Sequence, residues 1–255
     1  MAKPKYWTRE ELIVALNLYC KIPFKNSSAS HPLVIKYAKL IGRSPAAMNL
    51  KIGNLGRFDQ NLKAKGISGL VNGSKLDGQV WDEFMSNPEA LAYESARIIA
   101  EYENKTIEES TNISTEYLPN GEERESIVRQ RVNQRFFRDA VMAAYQNTCC
   151  VSGVKISSLL EACHISPWAE DVINRTNPKN GLCLNSFFHK AFDNNMFAIT
   201  PDYIIDIKPQ LIDSVSDDAF KNYLINISGR EMILPEKFVP DVELLAQHYE
   251  NYNKI

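Results

Sequence analysis

The sequence predicts an α+β chain in two parts. An N-terminal helical domain of helix-turn-helix or winged-helix-like type precedes a small strand–strand–helix unit with flanking helices. Three observations carry this. Apolar residues recur at helical spacing from Leu12 to Leu55, with a proline or capping residue at each helix start. A glycine turn, Ile41-Gly42-Arg43, separates two of those helices. Beyond residue 148 the pattern changes to short apolar runs at 159–165 and 181–184, then a helical stretch holding His189.

Taken in order, Thr8 and Glu11 form a capping-box pattern ahead of Leu12, Ile13, Leu16 and Tyr19. Pro23 ends that helix, and Ser30-His31-Pro32 starts another through Val34, Ile35, Ala38 and Leu40. Ser44 caps a third, with Pro45 at its first position and Met48, Ile52 and Leu55 turned inward. In a helix-turn-helix this third helix enters the major groove, which offers Arg43, Ser44, Asn49, Lys51, Asn54 and Arg57 to DNA. Residues 63–75, with three glycines, predict a hairpin wing. One or two acidic helices over 81–102 close a domain spanning 1–103, and the polar stretch 104–123 reads as a linker. A helix resumes at Arg124, with Val128, Val132, Phe136 and Ala140 on one face. Arg131, Arg135 and Arg138 lie on another, suited to gripping phosphates. It opens the second domain, 124–255. Residues 201–255 predict a β-rich start and two helices, about 217–225 and 242–252, in which no chemistry is legible.

Composition limits the function classes. No apolar run reaches membrane-spanning length and the first residues lack a signal-peptide core, so a soluble cytoplasmic protein is expected. Five cysteines without a C-x-x-C pair argue against a disulfide framework. The net charge of −2 hides an asymmetry: residues 1–75 carry 13 Lys/Arg against 3 Asp/Glu, and the rest 16 against 28. A basic segment of net +10 points to a polyanionic partner, double-stranded DNA first.

The chemistry concentrates in Glu161-Ala162-Cys163-His164-Ile165, Asn180-Gly181-Leu182 and His189-Lys190-Ala191-Phe192-Asp193, with 16 residues from His164 to Asn180 and 9 more to His189. In order and spacing this resembles the HNH (ββα-metal) nucleases, and most closely the predicted HNH restriction endonucleases of bacteria and archaea. The likeness covers about 148–200, and the N-terminal region is similar to one often fused to that domain. The resemblance implies that His164 is the general base, that Asn180 holds the loop and orients it, and that His189 is a metal ligand. It also implies phosphodiester hydrolysis leaving 5′-phosphate and 3′-hydroxyl ends.

Many HNH enzymes place a ligand directly before the catalytic histidine, where this chain has Cys163. Residues 161 and 163 share one side of a strand, so Glu161 is the expected carboxylate ligand, with Cys163 as the alternative. Asp193, one helical turn past His189, is expected to orient that imidazole. Mg²⁺ or Mn²⁺ suits such a site, whereas a thiolate ligand would favour Zn²⁺. One such active site cuts one strand, so a homodimer on DNA is expected. Two other readings remain open: a DNA-binding regulator and a zinc-stapled DNA-binding protein, neither of which would need His164.

Overall fold

The computed structural model describes residues 6–66, 73–114, 116 and 118–254, which divide into two compact units, residues 1–140 and 141–255.

The first unit is helical. The helix α1 (Arg9–Lys21) is its central element, with an unbroken buried run from Glu11 to Cys20. Its capping box forms: Glu11 N–H donates to Thr8 Oγ1 at 3.3 Å and Thr8 N–H to the Glu11 carboxylate at 3.0 Å. Around it lie α2 (Pro32–Leu40), α3 (Pro45–Gly56), α4 (Gln60–Ala64), α5 (Lys75–Met85) and α6 (Pro88–Glu103). His31 Nδ1 caps α2 and Ser44 Oγ caps α3, with proline at the first helical position of each. Gly42 makes the turn between them at φ +67°, a left-handed conformation that a side chain would strain. The acidic stretch forms two helices, because Asn87-Pro88 ends α5 and starts α6.

Two details differ from expectation. Residues 60–64, at the edge of the predicted wing, form α4, and no strand occurs among the described residues of this unit. Residues 67–72 of that wing lie outside the described residues. Within the stretch read as a linker, Thr106 and Glu109 build a second capping box and start α7 (Ile107–Thr111). The apolar side chains Ile107, Ile113 and Leu118 pack there on Ala96, Val128 and Val132, so this polar segment is fastened to a small core of its own. Next comes α8 (Glu122–Ala144), whose last turn belongs to the second unit.

The second unit is built on two antiparallel hairpins. Strands β1 (Leu160–His164) and β2 (Gly181–Asn185) pair Leu160 with Asn185 and His164 with Gly181. The chain passes directly from β2 into α9 (Ser186–Asp193), which packs on both strands. Sequence suggests Ser186 as the cap of α9, but the cap is Asn185, whose Oδ1 accepts the Phe188 N–H at 2.9 Å. A second hairpin, β3 (Phe197–Ile199) and β4 (Ile205–Ile207), is followed by α10 (Pro209–Asp213), α11 (Asp218–Ile227) and α12 (Val242–Lys254). The core joins α9 to this hairpin through edge-on rings, Phe188 to Phe197 at 5.4 Å and Phe192 to Phe197 at 5.5 Å. The architecture is α+β, with helices flanking a ββα unit.

Candidate metal and catalytic centre

The β1–β2 hairpin and α9 bring the three sequence segments to one place. His164 is the last residue of β1, and Asn180 sits just before β2 in the 310 turn Pro178–Asn180. Fully buried, Asn180 fastens the loop that follows His164. Its Oδ1 accepts the Ser166 N–H at 2.8 Å, and its Nδ2 donates to the carbonyls of Ser166 at 3.0 Å and Asn174 at 3.3 Å. Its own carbonyl accepts the Ile165 N–H at 2.9 Å. One side chain thus ties together both ends of the β1–β2 loop.

The tautomer of His164 follows from its partner. Nε2 lies 2.8 Å from the Arg175 carbonyl, and a carbonyl only accepts, so Nε2 carries the proton and Nδ1 is the basic nitrogen. Burial lowers the His164 pKa, outweighing the opposing hydrogen bond to Arg175, with His189 adding a small further decrease. A neutral, oriented imidazole results. Trp168 stands edge-on to it at 5.6 Å and Arg175 lies over that indole at 5.3 Å, so the loop packs around the histidine.

His189 is held from both sides. The Glu161 carboxylate hydrogen-bonds Nδ1 and also accepts the Ser186 hydroxyl at 2.7 Å. In the neutral ring Nδ1 is then the donor, and Nε2 bears the lone pair. Across from Nε2, at 3.6 Å, is Asp193 Oδ2, so two electron-rich atoms face each other. Cys163, fully buried on β1, puts Sγ 4.0 Å from the other Asp193 oxygen. Among the described residues, ligand atoms of Cys163, His189 and Asp193 lie within 4.8 Å of one another. Two facing acceptors with a thiol beside them form a donor set that a cation would satisfy, so these residues fit a divalent metal. Burial pushes the Cys163 thiol pKa well up, as do the nearby Asp193 and Glu161 carboxylates, which favours its neutral form.

Cys149, Cys150 and Cys183 are buried apart from this group; Cys149 Sγ accepts the Asn185 N–H at 3.3 Å. A cleft of about 510 Å³ opens beside the centre, lined by His164 and Asp193 on one side and by α12 on the other. Sequence reasoning missed the α12 contribution. Leu244, Gln247, His248 and Asn251 do recur at helical spacing, but nothing local says what that face meets.

Several of the residues expected to read DNA from the N-terminal helices make contacts within the first unit. Arg43 pairs with Glu11 at 2.6 Å in a nearly buried site, and Lys51 pairs with the fully buried Asp77 at 2.8 Å. The Trp7 ring lies over both cations, at 4.7 and 5.1 Å. Ser44 caps α3, Asn49 Oδ1 accepts the Ser27 hydroxyl at 2.7 Å, and Asn54 is buried. Arg57 stacks on Phe58 at 4.4 Å. The outward face of α3 instead shows Ala46 and Leu50. On α8, Arg131, Arg135 and Arg138 are exposed; Arg131 donates to the Ser114 carbonyl at 3.1 Å and Arg135 to that of Thr111.

A two-stranded hairpin runs into a helix, with a histidine and a carboxylate one turn apart and a second histidine ending the first strand, which is the ββα order of the HNH nucleases around a group that could hold a metal. Residues 149–200 match the family model described as HNH endonuclease, and this part of the chain is an HNH domain. No curated protein and no solved structure matches the chain. No helix among the described residues is long and apolar enough to cross a membrane.

Proposed function

We propose that the chain is a metal-dependent DNA endonuclease acting in restriction of foreign DNA, with base modification as the discriminator to be tested. The observation that carries the reading is the convergence of a neutral, oriented His164 with His189 and Asp193 on one hairpin–helix unit. His189 Nε2 and Asp193 would hold the metal, with Cys163 beside them and Glu161 behind the imidazole. Relative to the expectation from sequence, Glu161 and Asp193 exchange roles. The Asp193 carboxylate beside the His189 imidazole suits Mg²⁺ or Mn²⁺, whereas a thiolate ligand from Cys163 would favour Zn²⁺. Once bound, the metal supplies positive charge for the phosphate and the departing O3′.

His164 Nδ1 takes a proton from water as the water oxygen attacks phosphorus and the P–O3′ bond breaks. Arg175 holds the opposite ring nitrogen, so the base stays in the required tautomer. Asn180 keeps the loop carrying that carbonyl in register with β2. Exposed Arg131, Arg135 and Arg138 on α8 are the proposed backbone-gripping residues. A double-strand break requires two such centres, hence a homodimer on DNA.

Plasmid cleavage with Mg²⁺ or Mn²⁺, on methylated and unmethylated DNA, tests the reading. His164→Ala should lower the rate by about 10²–10⁴ while binding persists. Undiminished cleavage by that variant, or none by the parent protein, would overturn it. A preference between the plasmids would assign the discriminator.

A further inference from the structure

We infer that α12 is the nucleobase-reading wall of the active-site cleft, with Gln247 and Asn251 as the residues that set sequence preference beside the scissile phosphate. The inference rests on the nuclease reading and deepens it.

Gln247 and Asn251 are four residues apart, on the same helix face, and both are exposed where that face lines the cleft shared with His164 and Asp193. Neither amide has a hydrogen-bond partner within the chain, among the described residues. The amides at the two ends of α9 are committed: Asn185 caps it, and Asn194 Nδ2 donates to the Lys190 carbonyl at 2.7 Å. Two uncommitted amides beside a catalytic histidine are placed for a ligand that offers donors and acceptors together.

The cleft's charge says which part of a nucleotide they meet. Its charged lining residues are Glu170 and Asp193, and no Lys or Arg among the described residues lines it. Without a cation on this wall, phosphate has no reason to lie against α12. A base edge does, because a carboxamide gives one donor and one acceptor in the geometry that bidentate base contacts use.

Specificity also requires a rigid wall, and α12 is fastened along its length. Asp241 accepts the Glu243 N–H at 2.9 Å, and its own N–H donates to the Lys179 carbonyl at 3.0 Å, next to Asn180. His248, between the two amides, stacks flat on Phe192 of α9, centroids 3.8 Å apart and planes 7° off parallel. Tyr249 donates to Asp206 at 2.8 Å, and Tyr252 is buried. The amides are therefore presented from an element locked to the one carrying Asp193. This wall lies outside the segment matching the HNH family.

The test is mapping of Mn²⁺-dependent cleavage sites on a randomised DNA library, for the parent protein, His164→Ala, Gln247→Ala, Asn251→Ala and the Gln247→Ala/Asn251→Ala double variant. Both amides are exposed, and melting curves of the variants check that the fold is kept. The expected result is His164-dependent cleavage whose preference for bases flanking the cut falls about tenfold or more in the double variant. Retained cutting at other sites would accompany it. Unchanged preference in that variant, with His164-dependent cutting intact, overturns the inference alone. Cleavage absent, or independent of His164, overturns the nuclease reading and this inference with it.

Discussion

At the scale of single residues, the centre depends on which nitrogen of each histidine is occupied. Glu161 on His189 Nδ1 leaves Nε2 to face Asp193, so Glu161→Gln should weaken metal binding about 10–100-fold without removing a ligand. Titration of the protein with Mn²⁺, followed by paramagnetic resonance, measures this; a loss no greater than that of a remote surface variant would contradict it. Asn180→Ala leaves the Ser166 N–H and two carbonyls without their partner, a loss of about 3 kcal/mol in stability. Thermal melting reads that loss, and cleavage should fall further than folding does, because the carbonyl orienting His164 sits in the freed loop. His164, Asn180 and His189 were legible from order and spacing. That Asp193 faces His189 Nε2 while Glu161 stands behind the ring was not, since both are carboxylates within reach and only the hairpin register separates them.

At the scale of elements, pairing decides what a helix presents. Lys51 falls beside the apolar stripe of α3 and is drawn inward by Asp77 of α5, 26 residues later. Removing that partner strands a buried ammonium, so Asp77→Ala should destabilise the first unit by about 3–5 kcal/mol. A chemical-denaturation midpoint unchanged by the substitution would refute the pairing. For α12 the same logic concerns His248, whose pKa burial pushes down to about 4, outweighing a backbone hydrogen bond at Phe192. The folded state holds the neutral ring, while the unfolded chain takes a proton near pH 6.5. Stability from this residue is therefore complete above about pH 6.5 and is lost as pH falls from there towards 4, by about 2 kcal/mol after allowing for partial exposure. His248→Phe keeps the stack on Phe192 and should flatten melting temperature against pH in that window; an unaltered slope would show that other groups cause it.

At the scale of the whole molecule, charge along the chain and charge in space part company. Residues 1–75 carry a net +10, but the first unit as folded contains 20 basic and 17 acidic side chains, a net of +3. The acidic helices close on the basic ones: besides Arg43–Glu11 and Lys51–Asp77, Arg9 meets Glu83 at 2.5 Å and Lys36 meets Glu103 at 3.6 Å. DNA attraction on this view comes from exposed α8 arginines more than from α3. Changing Arg131, Arg135 and Arg138 together to Gln should weaken DNA binding uniformly across sequences and reduce the salt slope by about one per lost phosphate contact. An unchanged slope would move the DNA surface elsewhere.

By itself the sequence determined the helical phases, the caps of the first three helices and the grouping of His164, Asn180 and His189, because these depend on residues within a few positions of each other or on a spaced motif. It placed the strand–strand–helix order and the two longer helices after residue 201, α11 and α12, for the same reason, but not the short α10. Only the tertiary structure decided that Arg43 and Lys51 turn inward, that Asp193 faces His189 Nε2, and that α12 closes the cleft beside His164. Each of these joins residues brought together by packing, or selects between equivalent groups by register and direction. Periodicity says which face of an element is apolar; it carries no record of which partner covers it.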